Sequence, residues 1–469
     1  VPARPIFIGG TASNAGKSWM ATAICAWLRR RGVSVAPFKA QNMSNHSYPG
    51  RGGGEIGRAQ VVQAEACGLE PEVAMNPVLL KPNGDGTSQV IVHGRAWRTL
   101  SARAYYRHTD WLRAKVDVAY ASLARRFDVI VIEGAGSVTE LNLRPYDFSN
   151  LALASRLGAP WVLVSDIERG GVFASVVGTF ALLTAAERAS CRGFLVNKFR
   201  GDRLLFDEGV DILAERTGAP CLGVFPFATD ITLPAEDSLA VDVTPRAQPP
   251  AGARIAILRF PSLSNATDFR LLTWADWVTA AQPGHYDFIV LPGSKHVAGD
   301  LAWMRAEGLD RWIRREHAGG ATIVGVCGGY QMLGEAVRDP AGVESPSAYA
   351  EGLGLLGAET MLMPEKTTRA RRATLPNGTS FSAYEIHLGA TTCRTALPPF
   401  ARLEDGTPEG VRGERLIGTY LHGAFEDAQV CGDVFGYVPP EPPSREATFA
   451  RLADWFDRAA CEPDTWLPS

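Results

Sequence analysis

Two short segments of this sequence carry the residue types of reaction chemistry, and they lie far apart in the chain. The first is Gly10-Thr11-Ala12-Ser13-Asn14-Ala15-Gly16-Lys17-Ser18. A loop of this kind, placed between a strand and a helix, turns backbone N–H groups toward one point at a helix N-terminus, where the dipole also favours an anion. Thr11, Asn14, Ala15 and Gly16 then form the cradle for ATP, Lys17 neutralises the β- and γ-phosphates, and Ser18 offers its hydroxyl to Mg²⁺. The second segment is Gly325-Val326-Cys327-Gly328-Gly329-Tyr330. It sets a cysteine between an apolar run and a helical pattern, with glycines where crowding on a sharp turn is worst. A thiol at a helix N-terminus favours the thiolate, which is the nucleophile that forms thioesters. The bland alternatives are a glycine-rich turn with an incidental lysine and a buried structural cysteine. Few activities need both segments in one chain, and the commonest is amide synthesis that takes ammonia from glutamine and places it on an ATP-activated carboxylate.

Each segment needs partners. Asp128-Val129-Ile130-Val131-Ile132-Glu133-Gly134-Ala135-Gly136 ends an apolar run in an acid beside glycines, which suits Glu133 as a Mg²⁺ ligand facing the phosphate loop. Lys39, at the exit of an earlier apolar run, adds positive charge for phosphate or substrate. For Cys327 the base is expected downstream, at His422 in Gly418-Thr419-Tyr420-Leu421-His422-Gly423. His387, in Tyr384-Glu385-Ile386-His387-Leu388-Gly389, is the competitor, but its alternating surroundings suit a structural or substrate-lining residue. The Gly328 N–H, with one from Gly293-Ser294, forms the expected oxyanion hole. Water must be kept from an activated carboxylate, so a closed path between the two sites is expected.

The elements that must position these groups read as an α/β protein. Apolar runs alternate with helix-period segments, the pattern of parallel sheets covered on both faces. Strands are expected at Ile6 to Gly9, Val33 to Phe38, Val129 to Ile132, Trp161 to Ser165 and Gly193 to Asn197. Ser18 to Arg31 reads as a helix closed by Gly32. Pro234 to Ala253, with Pro245, Pro249, Pro250 and Gly252, reads as a linker. A second series begins at Arg254 to Leu258, continues at Asp287 to Leu291 and reaches Ala321 to Gly325 just before Cys327. The expected domains are 1–235, a linker 236–252, and 253–469. Glu441 to Cys461 reads as a closing helix, and Arg369 to Arg372 as a solvated surface loop.

Composition bounds the rest. The 469 residues, 46% hydrophobic and 21% charged, can bury at least two cores. A net charge of −3 gives no footprint for nucleic acid or an anionic membrane. The eight cysteines form no CxxC pair, which argues against zinc and a disulfide framework and for a reducing cytoplasm. The residues before the first glycines leave no room for a signal peptide core, and no apolar run reaches membrane-spanning length. The partners are therefore expected to be small molecules, and no sequence feature bears on oligomeric state.

Five residues, rather than the common four, separate Gly10 from Gly16. With the strand ending Glu-Gly-Ala-Gly, this resembles the dethiobiotin synthetase group of P-loop ligases, which phosphorylate a carboxylate. That resemblance implies adenine recognition by Asn197 in Phe194-Leu195-Val196-Asn197-Lys198. Chromosome-partitioning ATPases share the fold but carry an extra lysine early in the loop, and residues 6–16 hold none. The cysteine half resembles class I, triad-type glutamine amidotransferases of flavodoxin-like fold. One departure stands out: Ala424 occupies the position of the triad acid in His-x-Glu. Hence His422 is expected to be poorly oriented at rest, unless Glu426 or a backbone carbonyl holds it, and resting glutaminase activity is expected to be slow.

The whole chain resembles the cobyric acid synthase family, through Phe38-Lys39-Ala40-Gln41-Asn42-Met43-Ser44-Asn45, Gly54 to Gln60, Met75 to Pro82 and Asp166 to Phe173. The resemblance implies amidation of the b, d, e and g carboxylates of adenosylcobyrinic acid a,c-diamide with glutamine, ATP and Mg²⁺. Besides Lys39, the expected contacts to substrate or phosphate are Asn42, Glu55, Glu140 and Asp166. The rivals are a cobyrinic acid a,c-diamide synthase and a non-catalytic P-loop switch with a decayed glutaminase half.

Overall fold

The computed structural model describes residues 3–83, 86–233, 254–345, 347–394 and 396–468. The expected linker, Pro234 to Ala253, lies outside the described residues. Two parallel sheets organise the chain. In the first, the strand order is Cys221–Pro226, Cys191–Phe199, Trp161–Asp166, Arg4–Gly10, Val129–Glu133, Val35–Phe38. The inner strands are near-continuous apolar runs, as a sheet buried on both faces requires. Register sets Ile8 beside Glu133 and Gly10 beside Val164, so the loop after Gly10 and the acid of Glu133 emerge at the same edge. The helix Lys17–Arg30 follows that loop.

The second sheet runs Asp276–Val278, Ile255–Leu258, Phe288–Leu291, Thr322–Val326, Leu416–Thr419, with Val411–Arg412 antiparallel at its edge. Numbered along the chain, the parallel strands stand in the order 2-1-3-4-5, the flavodoxin-like order expected. Cys327 follows the fourth strand and His422 the fifth, so adjacent strands deliver nucleophile and base to one edge.

Three features were not legible in sequence or were misread. Between Phe38 and Val129 the chain leaves the first sheet and builds a small four-stranded sheet, a short hairpin (Ser47–Pro49 with Glu55–Gly57) and the helix Arg58–Ala66. Arg369 to Arg372 is not a loop: it lies in the strand Ala358–Thr374, paired antiparallel with Ser380–Cys393. Arg371 Nε donates to Glu385 Oε2 at 2.6 Å, and Pro376-Asn377-Gly378 makes the turn that the arginines masked.

The closing helix, Arg445–Ala459, belongs by its packing to the first half rather than the second. Phe449, Leu452, Trp455 and Phe456 share a core with Ile24, Trp27 and Leu28 of the helix Lys17–Arg30. Trp27 Nε1 donates to Asp457 Oδ1 at 2.7 Å, and Trp455 Nε1 to the Pro226 carbonyl at 3.0 Å. Helical spacing disclosed the apolar face but not which core would receive it. Trp455→Ala should destabilise the nucleotide-binding half by about 3–5 kcal/mol. Urea unfolding followed by a nucleotide-site probe should shift to lower denaturant, and an unchanged midpoint would contradict this packing.

Candidate active site

The glutamine half is built on backbone strain. Cys327 has φ 52° and ψ −108°, a conformation that non-glycine residues rarely adopt and that its surroundings must enforce. A Cβ on Gly329 would come 1.9 Å from the Leu291 carbonyl oxygen, so the turn can pass the neighbouring strand only with glycine there. The short helix Gly328–Leu333 follows at once. Cys327 Sγ approaches the Ile386 carbonyl at 3.5 Å.

His422 is buried beside the nucleophile. Its Nδ1 lies 2.7 Å from Asp268 Oδ2, and the other carboxylate oxygen accepts the Gly423 N–H at 2.9 Å. The Tyr384 ring stacks on the imidazole at 5.2 Å. Burial alone would disfavour the charged ring, but Asp268 and Cys327 together outweigh it and raise His422 to about 10. Asp268 therefore fixes tautomer and orientation and supports the positive charge, which is the task of a triad acid. The expectation of a poorly held His422 is overturned. The acid comes from the 3-10 turn Ala266–Phe269, far upstream, rather than from the position of Ala424. Glu426 does not serve His422: its oxygens pair with Arg58 at 2.9 Å and Arg270 at 2.8 Å.

His387 is engaged by other partners. Its Nδ1 lies 2.8 Å from the Gly389 carbonyl, its Nε2 faces Glu385, and its ring stacks on Tyr420 at 3.9 Å. Gly293 and Gly328 do meet at the site. A Cβ on Gly293 would come 3.0 Å from His422 Cε1, and one on Gly328 would come 2.7 Å from the Ser294 N. Ser294 Oγ donates to the buried Asp300 at 2.5 Å, which anchors that segment.

In the other half, a cleft of about 930 Å³ opens at the edge of the first sheet. Asn14, Gly16, Lys17, Ser18, Lys39, Asn42, Glu133 and Glu140 all line it. Lys17 Nζ donates to the Ala12 and Gly136 carbonyls, holding the loop open around its own charge. Ser18 Oγ donates to Glu133 Oε1 at 2.7 Å, and Lys39 Nζ meets the same oxygen at 2.7 Å. Glu133 Oε2 accepts from Gln63 at 2.6 Å.

Other expected residues stand behind the cleft. Thr11 Oγ1 donates to Ser165 Oγ at 3.2 Å, and Ala15 is buried. Asn197 Nδ2 donates to the Ala15 carbonyl at 3.0 Å, where a Cβ on Gly16 would clash with it at 2.0 Å. Asn197 therefore braces the loop, and its neighbour Lys198 lines the cleft. Asp166 pairs with Lys198 at 2.8 Å instead of lining the cleft. Glu55 is not a cleft residue either: it is buried between Lys81, at 2.8 Å, and Lys366 of the second half. Burial opposes its ionisation, but the two lysines hold its carboxyl well below the usual range.

Sequence reasoning missed Asp268, Gln63 and Arg58. Each acts across long chain separations, so no local spacing marked it.

Comparison with known proteins agrees with this construction. Residues 6–240 match the family model described as a CobQ/CobB/MinD/ParA nucleotide binding domain, and residues 254–430 that of a CobB/CobQ-like glutamine amidotransferase domain. A cobyric acid synthase of Jannaschia sp. (strain CCS1) is 46% identical over 435 residues, which is 90% of this chain and 90% of the relative. The chain belongs to the cobyric acid synthase family. It is a glutamine amidotransferase ligase with a nucleotide-binding half. Two solved glutamine amidotransferases align with part of it. One is 17% identical with a TM-score of 0.28 over 43% of this chain and 98% of its own. The other, from Thermotoga maritima, is 13% identical with a TM-score of 0.27 over 44% and 97%. Among the described residues no helix is long and apolar enough to cross a membrane.

Proposed function

We propose that the chain amidates the b, d, e and g side-chain carboxylates of adenosylcobyrinic acid a,c-diamide, giving adenosylcobyric acid in cobalamin biosynthesis. The observation that carries this reading is the presence of both complete machineries, Cys327–His422–Asp268 and the phosphate-loop cleft, in a chain so similar to a cobyric acid synthase. Residues 1–235 are taken as the synthetase half and 253–469 as the glutaminase half, with the last helix returned to the first.

Cys327 attacks the glutamine carboxamide, while Gly328 and the Gly293-Ser294 segment receive the oxyanion. His422 gives a proton to the departing ammonia, and water then hydrolyses the glutamyl thioester. In the cleft, Lys17 turns from the Ala12 and Gly136 carbonyls to meet the γ-phosphate of ATP, and a substrate carboxylate takes the phosphoryl group to become an acyl phosphate. Ammonia displaces phosphate to form the amide. Ser18 and Glu133 would hold Mg²⁺: a hydroxyl and one carboxylate meeting at a point suit a hard cation that keeps waters and phosphate oxygens as its remaining ligands. Bound there, it supplies charge neutralisation on the phosphates. Nucleotide base and acceptor share the cleft, whose lining also includes Glu168, Arg169, Lys198, Asn42 and Met43. The eight free cysteines accord with a reducing cytoplasm.

The test is to supply glutamine and MgATP with each corrin precursor in turn and resolve products by mass. Stepwise gain of four amides on the a,c-diamide is the expected result. Amidation only of the a and c groups of cobyrinic acid would assign the chain to the diamide synthase activity instead. The intact triad argues against a non-catalytic switch.

A further inference from the structure

We propose that ammonia passes from Cys327 to Glu133 along the helix Arg58–Ala66, and that His46 and Gln60 are the groups that position it on the way. This rests on the reading above, which requires transfer between the sites without naming a route.

The helix physically joins the two centres. At its start Arg58 binds Glu426, four residues after His422, and in its last turn Gln63 binds Glu133. Nine residues at 1.5 Å rise span about 13 Å. Buried polar atoms nearly always find partners. Yet along this helix lies a row that does not: both ring nitrogens of His46, Gln60 Nε2 and Gln63 Oε1. All three side chains are fully buried. Such open hydrogen-bonding positions are what a small polar solute needs in an otherwise dry interior.

His46 stands at the end of that row nearest the glutamine site. Its carbonyl accepts the Arg58 N–H at 3.1 Å, and the next residue, Ser47, donates its N–H to Asn265, which precedes the turn bearing Asp268. Gln60 continues the row: its Oε1 accepts from Asn42, and Asn42 lines the cleft. Burial, Arg58, Lys81 and the charge of His422 push His46 down to about 3, so the ring stays neutral. A neutral imidazole both donates and accepts, and it has no proton to give to ammonia. The nearby cations Arg58 and Lys81 repel ammonium. The row therefore passes ammonia in its nucleophilic form.

The test uses the full chain with glutamine labelled with ¹⁵N at the side-chain amide, MgATP, the corrinoid acceptor and excess unlabelled ammonium. The natural protein should place mainly ¹⁵N in the product amide. His46→Leu and, separately, Gln60→Leu should still release glutamate and still amidate from ammonium, but less than half of the released label should reach the product. A merely structural defect would lower both activities without diluting the label. Retention of label in both variants would overturn the route, as would dilution of label in the natural protein. Absence of glutamine-dependent amidation in the natural protein would instead refute the functional reading on which the route rests.

Discussion

Amidation should stop with either nitrogen source when Lys17 is replaced by alanine, whereas Cys327→Ala should stop only the glutamine-driven reaction. The two losses are complementary because each side chain belongs to one machinery. Lys17 lines the cleft, where its ammonium group donates to the Ala12 and Gly136 carbonyls beside the nucleotide position. Loss of a cation that stabilises a transferring phosphoryl group costs on the order of 10³-fold or more. The Lys17 variant should keep Cys327 reactive toward a glutamine-analogue alkylator, which also shows that the second half is folded. Cys327→Ala removes the only thiol at the elbow, so no thioester forms, but high ammonium should still enter the open cleft and sustain synthesis. Near-normal ammonium-driven turnover in Lys17→Ala would remove the loop from the phosphate chemistry. Equal loss with both nitrogen sources in Cys327→Ala would contradict the division of labour.

Local signals account for what the sequence disclosed. The loop at Gly16-Lys17-Ser18 and the elbow at Cys327 each carry their own strand, turn and helix within a few residues, so type and spacing sufficed to find them. Glu133 and His422 were legible for the same reason, each ending an apolar strand beside glycine. The parts that went unseen are set by tertiary meetings. Asp268 reaches His422 only because the turn after the first strand of the second sheet folds over the end of the fifth. Glu55 carried the composition of a substrate contact, but its fate is decided by Lys366, which arrives from the other half. The arginines at 369–372 were read as a polar loop because charge hid a strand whose partners are Glu385 and Glu404. In each case the local pattern was compatible with more than one outcome, and a distant residue chose.

Asp268 also changes the expectation for the resting enzyme. A base without an acid would need substrate-driven ordering to become competent, whereas here the imidazole is already oriented, stacked on Tyr384 and held by a buried carboxylate that also ties down Gly423. Glutamate release should therefore proceed at a substantial rate without acceptor or nucleotide, and any increase on adding them should come from changes outside the triad. The seam offers such a place, since Glu426 lies four residues from His422 and is bound by Arg58 of the first half. Asp268→Asn keeps the shape but permits the wrong tautomer and removes the charge that sustains imidazolium, so glutamine-driven turnover should fall by on the order of 10³–10⁴-fold. Ammonium-driven amidation should be unchanged, because Asp268 touches nothing in the phosphate cleft. Arg58→Ala, in contrast, should leave basal glutamate release nearly intact and reduce its response to acceptor. A glutaminase rate unaffected by Asp268→Asn would show that Tyr384 stacking and the backbone alone orient His422, and the carboxylate would then be structural.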